Sequence, residues 1–121
     1  MVWLGPRRDI ERWYAAADVV VLPTRYEPFG NVHLEALASG VPVVTTSRAG
    51  GAEVIDEGKS GAVVPPGDVP ATAAAMERLR AGDPAISEAA RRGAEPFTFA
   101  AQVAALSAVY RACPRAKASF S

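Results

Sequence analysis

The chain has 121 residues, half of them hydrophobic, and its 13 basic residues balance 13 acidic ones. That size fits one domain with a modest core, and the profile excludes a disordered chain. Zero net charge offers no basic field to a nucleic acid, and the single cysteine excludes an internal disulfide and favours a reducing compartment.

Residues 2–4 are a short apolar run closed by Gly5-Pro6, which predicts a strand. The charges of the first nine residues follow that run instead of preceding a long one, so the segment does not read as a signal peptide. Ile10, Trp13, Tyr14 and Ala17 fall at i, i+3, i+4 and i+7, which predicts a helix with Trp13 and Tyr14 in the core. Residues 19–22 are an unbroken aliphatic run, expected of a parallel strand covered on both faces. Asp18 and Pro23 cut it far short of a membrane span, which needs about 18 residues.

Asn31 is placed to cap the next helix, with Leu34, Leu37 and Ala38 on one face and Gly40 as the stop. A strand over 41–45 follows, with Pro42 near its start. Gly50-Gly51 forms a loop into a helical turn near 52–55, and residues 61–64 form a brief strand closed by Pro65-Pro66-Gly67. Asp68 and Pro70 open a helix through Thr72, Ala75, Met76 and Leu79, and Asp83-Pro84 open another through Ile86, Ala89 and Ala90. Thr98 caps a last helix whose face is Phe99, Val103, Leu106, Tyr110 and Cys113. Cys113 reads as a small apolar residue near a helix end and not as a catalytic thiol. Residues 114–121 read as a poorly ordered tail.

About four strands alternating with helices predict an α/β fold. It is a partial doubly wound, Rossmann-like parallel sheet with helices on both faces and C-terminal helices. Such sheets bind ligands beyond the carboxyl ends of their strands. There the sequence sets Glu27 on the loop after the 19–22 strand and Glu35 about one turn inside the next helix. Between them, Gly30 and Asn31 open that helix, and the free amides of Asn31, Val32 and His33 favour an anion such as a diphosphate. Glu35, roughly 6 Å further along the axis at about 1.5 Å per residue, can take ribose hydroxyls without meeting the phosphate. Glu27 can grip hydroxyls on the other side. Alone, Glu35 reads first as a complement to the helix dipole; the two acids, the glycine and the flanking strands together describe a receptor for a nucleotide-sugar. His33 reads as a solvent-facing or packed side chain ahead of a pocket-lining one. Arg25 reads as a phosphate contact or a solvated loop charge.

These residues resemble a known family. Residues 27–35 are similar to the E-x7-E motif of retaining glycosyltransferases of the two-Rossmann-domain (GT-B) type, family 4. The likeness extends through Ala16-Ala-Asp-Val-Val-Val-Leu-Pro-Thr-Arg-Tyr-Glu-Pro-Phe-Gly, Leu34-Glu-Ala-Leu-Ala-Ser-Gly-Val-Pro-Val-Val, Gly50-Gly-Ala-Glu-Val-Ile, Gly58-Lys-Ser-Gly and Val63-Val-Pro-Pro-Gly-Asp. The resemblance implies that Glu27 is the catalytic residue, holding donor-sugar hydroxyls and steadying positive charge at the anomeric carbon. It implies a diphosphate cradle of Phe29, Gly30, Asn31 and Val32, with Glu35 on the ribose and no metal or other cofactor. It further implies a nucleotide-diphosphate sugar as donor, and lipopolysaccharide or other cell-surface polysaccharide synthesis in the cytoplasm, the inner membrane face included.

The Arg and Lys with which that family clamps the diphosphate have no counterpart among Arg7, Arg8, Arg25, Arg48 and Lys59. Nor does the domain that would bind an acceptor glycan or lipid-linked sugar. Residues 1–113 are therefore expected to be the latter part of a donor domain, inactive alone. The alternative is a non-catalytic truncated or split module that binds nucleotide weakly, as a homodimer or with a complementing chain. A sugar-nucleotide epimerase matches the loop less well.

Overall fold

The computed structural model describes residues 1–80 and 82–113. Three parallel strands, β1 (Val20–Leu22), β2 (Val43–Thr46) and β3 (Gly61–Val64), lie in the order β1-β2-β3. Around them run α1 (Ile10–Ala15), α2 (Val32–Ala38), α3 (Val69–Leu79), α4 (Pro84–Ala94) and α5 (Phe99–Ala112), with 3₁₀ turns at Gly50–Val54 and Glu95–Phe97. The expected α/β parallel sheet is present.

Alternation along the strands builds two cores, because successive side chains point to opposite faces. Val20, Leu22 and Val43 pack with Tyr14, Ala36, Leu37, Val41 and Ala90, which belongs to the α1, α2 and α4 side. Val19, Val21, Val44, Ala62 and Val64 pack with Ala75 and Leu79 of α3 on the other. β2 is buried throughout, since it is the central strand. β1 packs into a core on each face, as its aliphatic run implies, but is only half-buried because it lies at a sheet edge.

The helix ends follow their local chemistry. Asp68 accepts from the Ala71 amide, Asp83 from that of Ala85 and Thr98 from that of Ala101, each supplying an acceptor to a first-turn N–H. At the end of α2, Gly40 takes φ +77°, its amide donates to Leu37 O and that of Val41 donates to Ala36 O. This pair of bonds reverses the chain directly into β2.

Four sequence expectations fail. Residues 2–4 form no strand: Val2 and Trp3 are exposed, and no backbone pairs with the run among the described residues. Trp13 is not core; it is partly exposed with the Arg7 guanidinium 5.0 Å from its ring centre, a cation–π contact. The buried stripe of α2 is His33, Ala36 and Leu37, with Leu34 half-buried and Ala38 exposed. The α5 face is right in register but uncovered: Phe99, Val103, Leu106, Tyr110 and Cys113 are all exposed. The expected tail, 114–121, lies outside the described residues.

Candidate functional site

Because the strands are parallel, the loops after β1, β2 and β3 share one rim, where a ligand of such a sheet is expected. The β1 loop is fastened to the β2 loop by backbone bonds. The Glu27 amide donates to Arg48 O at 3.4 Å, and the Gly50 amide donates to Glu27 O at 2.8 Å. Thr46 Oγ1 donates to Thr24 O at 2.8 Å. Gly50 must be glycine here, for a Cβ on it would stand 1.9 Å from Pro28 O.

Gly30 adopts φ +69°, a conformation that L side chains rarely take, at the entry to α2. The Glu27 side chain folds against it: a Cβ on Gly30 would lie 3.1 Å from Glu27 Cγ. Asn31 occupies the cap position, but its side chain makes no cap bond, because its own backbone is already helical (φ −56°, ψ −21°). The amides of Asn31 and Val32 have no backbone acceptor among the described residues. That of His33 is taken, donating to Gly30 O at 3.2 Å, so two of the three expected amides remain for an anion.

His33 is fully buried, which bears out the packed alternative and not the solvent-facing one. Its Nδ1 lies 2.9 Å from Gly30 O and its Nε2 2.9 Å from Thr45 Oγ1. A carbonyl only accepts, so Nδ1 carries a proton and the ring ties the turn at Gly30 to β2. Gly51 makes room for it, since a Cβ there would stand 2.3 Å from the ring. The sequence carried a signal for this: His33 precedes Leu37 by four residues and Ala36 by three, on one stripe.

Glu35 is exposed on α2, and its Oε2 accepts from Tyr14 OH at 3.0 Å. Burial, and then this bond to Glu35, push the Tyr14 phenol up to about 12. No local pattern announces a contact 21 residues apart. Arg48, which the sequence reading set aside as a counterpart of the family's clamp, lines the same cavity of about 390 Å³ as Glu27, together with Ser47 and Glu53. Its place just beyond β2, on the same rim as Arg25, is the signal that would have found it. Phe29 and Asn31 line a second cavity, of about 500 Å³, against Phe97, Phe99 and Gln102. Thus Glu27 and Gly30 come together, Phe29 and Asn31 face another hollow, and Val32 and Glu35 are exposed along the helix.

A parallel sheet flanked by helices, with a glycine turn opening α2 and acids near the strand ends, defines the class: a Rossmann-like α/β domain. The glycosyl transferases group 1 family profile matches residues 1–82, and the chain belongs to that family. It is 38% identical over 104 residues to glycogen synthase of Mycobacterium tuberculosis (82% of this chain, 25% of the relative). It is 31% identical over 121 residues to the lipopolysaccharide core biosynthesis mannosyltransferase LpsB of Rhizobium meliloti (95% and 34%). Among solved structures, sucrose-phosphate synthase of Thermosynechococcus elongatus superposes with TM-score 0.74 at 33% identity, covering 82% of this chain and 26% of that one. Anabaena HepE in complex with UDP superposes with TM-score 0.68 at 27% identity, covering 86% and 30%. The chain therefore spans a quarter to a third of the length of these relatives.

Proposed function

We propose that this chain is the nucleotide-sugar-binding portion of a retaining glycosyltransferase carrying the E-x7-E motif of family 4. It serves lipopolysaccharide or other cell-surface polysaccharide synthesis on the cytoplasmic side of the membrane. The observation that carries the reading is the Glu27 carboxylate folded against Gly30 at the entry to α2, beside the unpaired amides of Asn31 and Val32. Family membership, and the UDP and UDP-glucose complexes of the similar Anabaena protein, support it.

In this reading Glu27 accepts hydrogen bonds from donor-sugar hydroxyls, and its charge stabilises the positive charge that develops at the anomeric carbon. Phe29, Gly30, Asn31 and Val32 cradle the diphosphate, whose growing negative charge meets the free amides as the leaving bond stretches. Tyr14 OH occupies Glu35 Oε2 and leaves Oε1 for the ribose. No metal is needed, because backbone dipoles meet the leaving charge. An acceptor glycan or lipid-linked sugar is held outside these residues, so they alone transfer nothing; orientation of two substrates supplies much of such a rate gain.

The test is a titration of the full chain with UDP-, GDP- and ADP-sugars in the presence of a chelator, followed by amide shifts. One donor should bind at about millimolar strength, near −4 kcal/mol, with shifts centred on residues 30–35. Glu27→Gln should weaken the sugar-bearing ligand more than the free nucleotide. Shifts centred elsewhere, or binding that needs a divalent ion, overturn the reading.

A second reading is a non-catalytic module that joins another chain or a second copy of itself. The uncovered apolar face of α5 favours it, since monomers rarely expose such patches. A sedimentation profile that stays monomeric at high concentration, with and without nucleotide, counts against self-association.

A further inference from the structure

Arg25 and Arg48 leave the sheet on one rim, three residues beyond β1 and two beyond β2. Both line an open cavity of about 440 Å³, whose remaining wall is Pro66 and Gly67 at the end of β3. Neither residue 66 nor residue 67 carries a long side chain, so the floor beneath the two cations stays clear.

Two observations mark the pair as more than solvated charge. First, neither arginine has a carboxylate within ion-pair distance among the described residues, so no side chain neutralises either charge at the cavity. Second, the loops that carry them are held in register. The Arg48 amide donates to Thr46 Oγ1, Thr46 Oγ1 donates to Thr24 O, and Arg48 O accepts from the Glu27 amide. Two like charges carried on held loops beside one hollow leave a positive potential that an anion relieves, and guanidinium groups match phosphoryl oxygens through paired N–H donors.

Arg48 is also a wall of the neighbouring cavity that holds Glu27 and Ser47. A ligand with a phosphoryl group on the arginines therefore has hydroxyl-binding partners one residue away. We infer that the Arg25–Arg48 cavity is a phosphoryl-binding site, separate from the turn at residues 30–32. It takes a phosphomonoester of a sugar or polyol whose hydroxyls reach across Arg48 toward Glu27. This site is distinct from the proposed diphosphate cradle and stands on its own observations.

The experiment titrates the full chain with inorganic phosphate, glucose 6-phosphate and UDP, following arginine Nε–Hε resonances and backbone amides. Inorganic phosphate and glucose 6-phosphate should shift Arg25 and Arg48 but not Arg78, with glucose 6-phosphate also moving the amides of Glu27 and Ser47. Arg25→Gln and Arg48→Gln should each weaken that binding about tenfold, while Arg78→Gln, an exposed control, leaves it unchanged. Both variants alter exposed side chains, and unperturbed amide spectra elsewhere check that they fold. UDP should move residues 30–32 without displacing phosphate; UDP that moves nothing at residues 30–32 would count against the donor reading alone and leave this site standing. Phosphate that shifts every arginine equally, or that shifts none, overturns the inference. So does competition between UDP and phosphate at Arg25 and Arg48, which would assign the cations to the nucleotide.

Discussion

The β1–α2–β2 unit and α5 have equally apolar faces but opposite fates. In the first, His33, Ala36, Leu37, Val43 and Val44 are all buried, and the glycines after β2 sit where no Cβ fits. In the second, a regular fourteen-residue helix capped by Thr98 buries none of its residues. Periodicity tells which side chains share a face; whether anything lies against that face is decided elsewhere in the fold. The rim residues of the candidate site belong to the tightly fitted unit, so changes there should be felt sharply and changes on α5 hardly at all.

The largest effect is expected from Gly50→Ala. The new Cβ would overlap Pro28 O, a backbone atom held by the chain on either side of it, and relief requires the Glu27–Gly50 bond to shift. Overpacking of this kind costs about 3 kcal/mol. For a domain of this size the melting temperature should fall by more than about 12 °C. A drop of only a degree or two would show that the rim is looser than described.

His33→Leu should come next. The volume is nearly kept, but Gly30 O and Thr45 Oγ1 lose their ring partners inside the core. Gly30 O keeps the residue-33 amide and Thr45 Oγ1 a 3.5 Å bond to Leu22 O, so the loss of the two ring bonds costs about 2 kcal/mol in all. Urea melts measure it, and amide shifts at residues 30–32 should report that the turn has slackened. If stability falls with those shifts unmoved, the ring is packing material only and does not hold the turn.

Tyr14→Phe tests the join between α1 and α2 with a smaller expected loss, about 1 kcal/mol, since one hydrogen bond to an exposed carboxylate disappears. The pH dependence has a definite sign. The folded state holds the Tyr14 proton more tightly than the unfolded chain, whose phenol titrates near 10.0, and the folded value lies at about 12. The bond's contribution is therefore complete below about pH 10 and fades as the pH rises toward about 12. Absorbance at 295 nm should show a tyrosine titrating near the upper value, and the phenylalanine variant should lack it.

What was readable in the sequence divides along the same line. Caps are local chemistry, so Asp68, Asp83 and Thr98 announce α3, α4 and α5, and Gly40 announces the end of α2. The aliphatic runs of β1, β2 and β3 are equally legible, because parallel strands must be apolar for several residues. The run at residues 2–4 looks the same but finds no partner strand, and strand formation depends on non-local pairing that three residues cannot disclose. The acids and the glycine of the rim could be named from spacing alone. That His33 spends one ring nitrogen on the turn and the other on β2, or that Tyr14 reaches Glu35, depends on how helices and strands pack. No window of sequence contains that information.

The smallest effect is expected from Leu106→Ala on α5, and its value is as a contrast with the rim. Leu106 is half exposed, so truncation removes little buried surface and leaves no cavity. Alanine is also the better helix former, which offsets part of the lost contact. Stability should change by less than about 0.5 kcal/mol, as at ordinary surface positions. Self-association is where the same substitution should register: if the uncovered face drives assembly, sedimentation at high concentration should shift toward monomer while the melting curve of the dilute chain stays put. A loss of about 2 kcal/mol or more in dilute solution would mean that the face is covered within the monomer, and the contrast between the two regions would collapse.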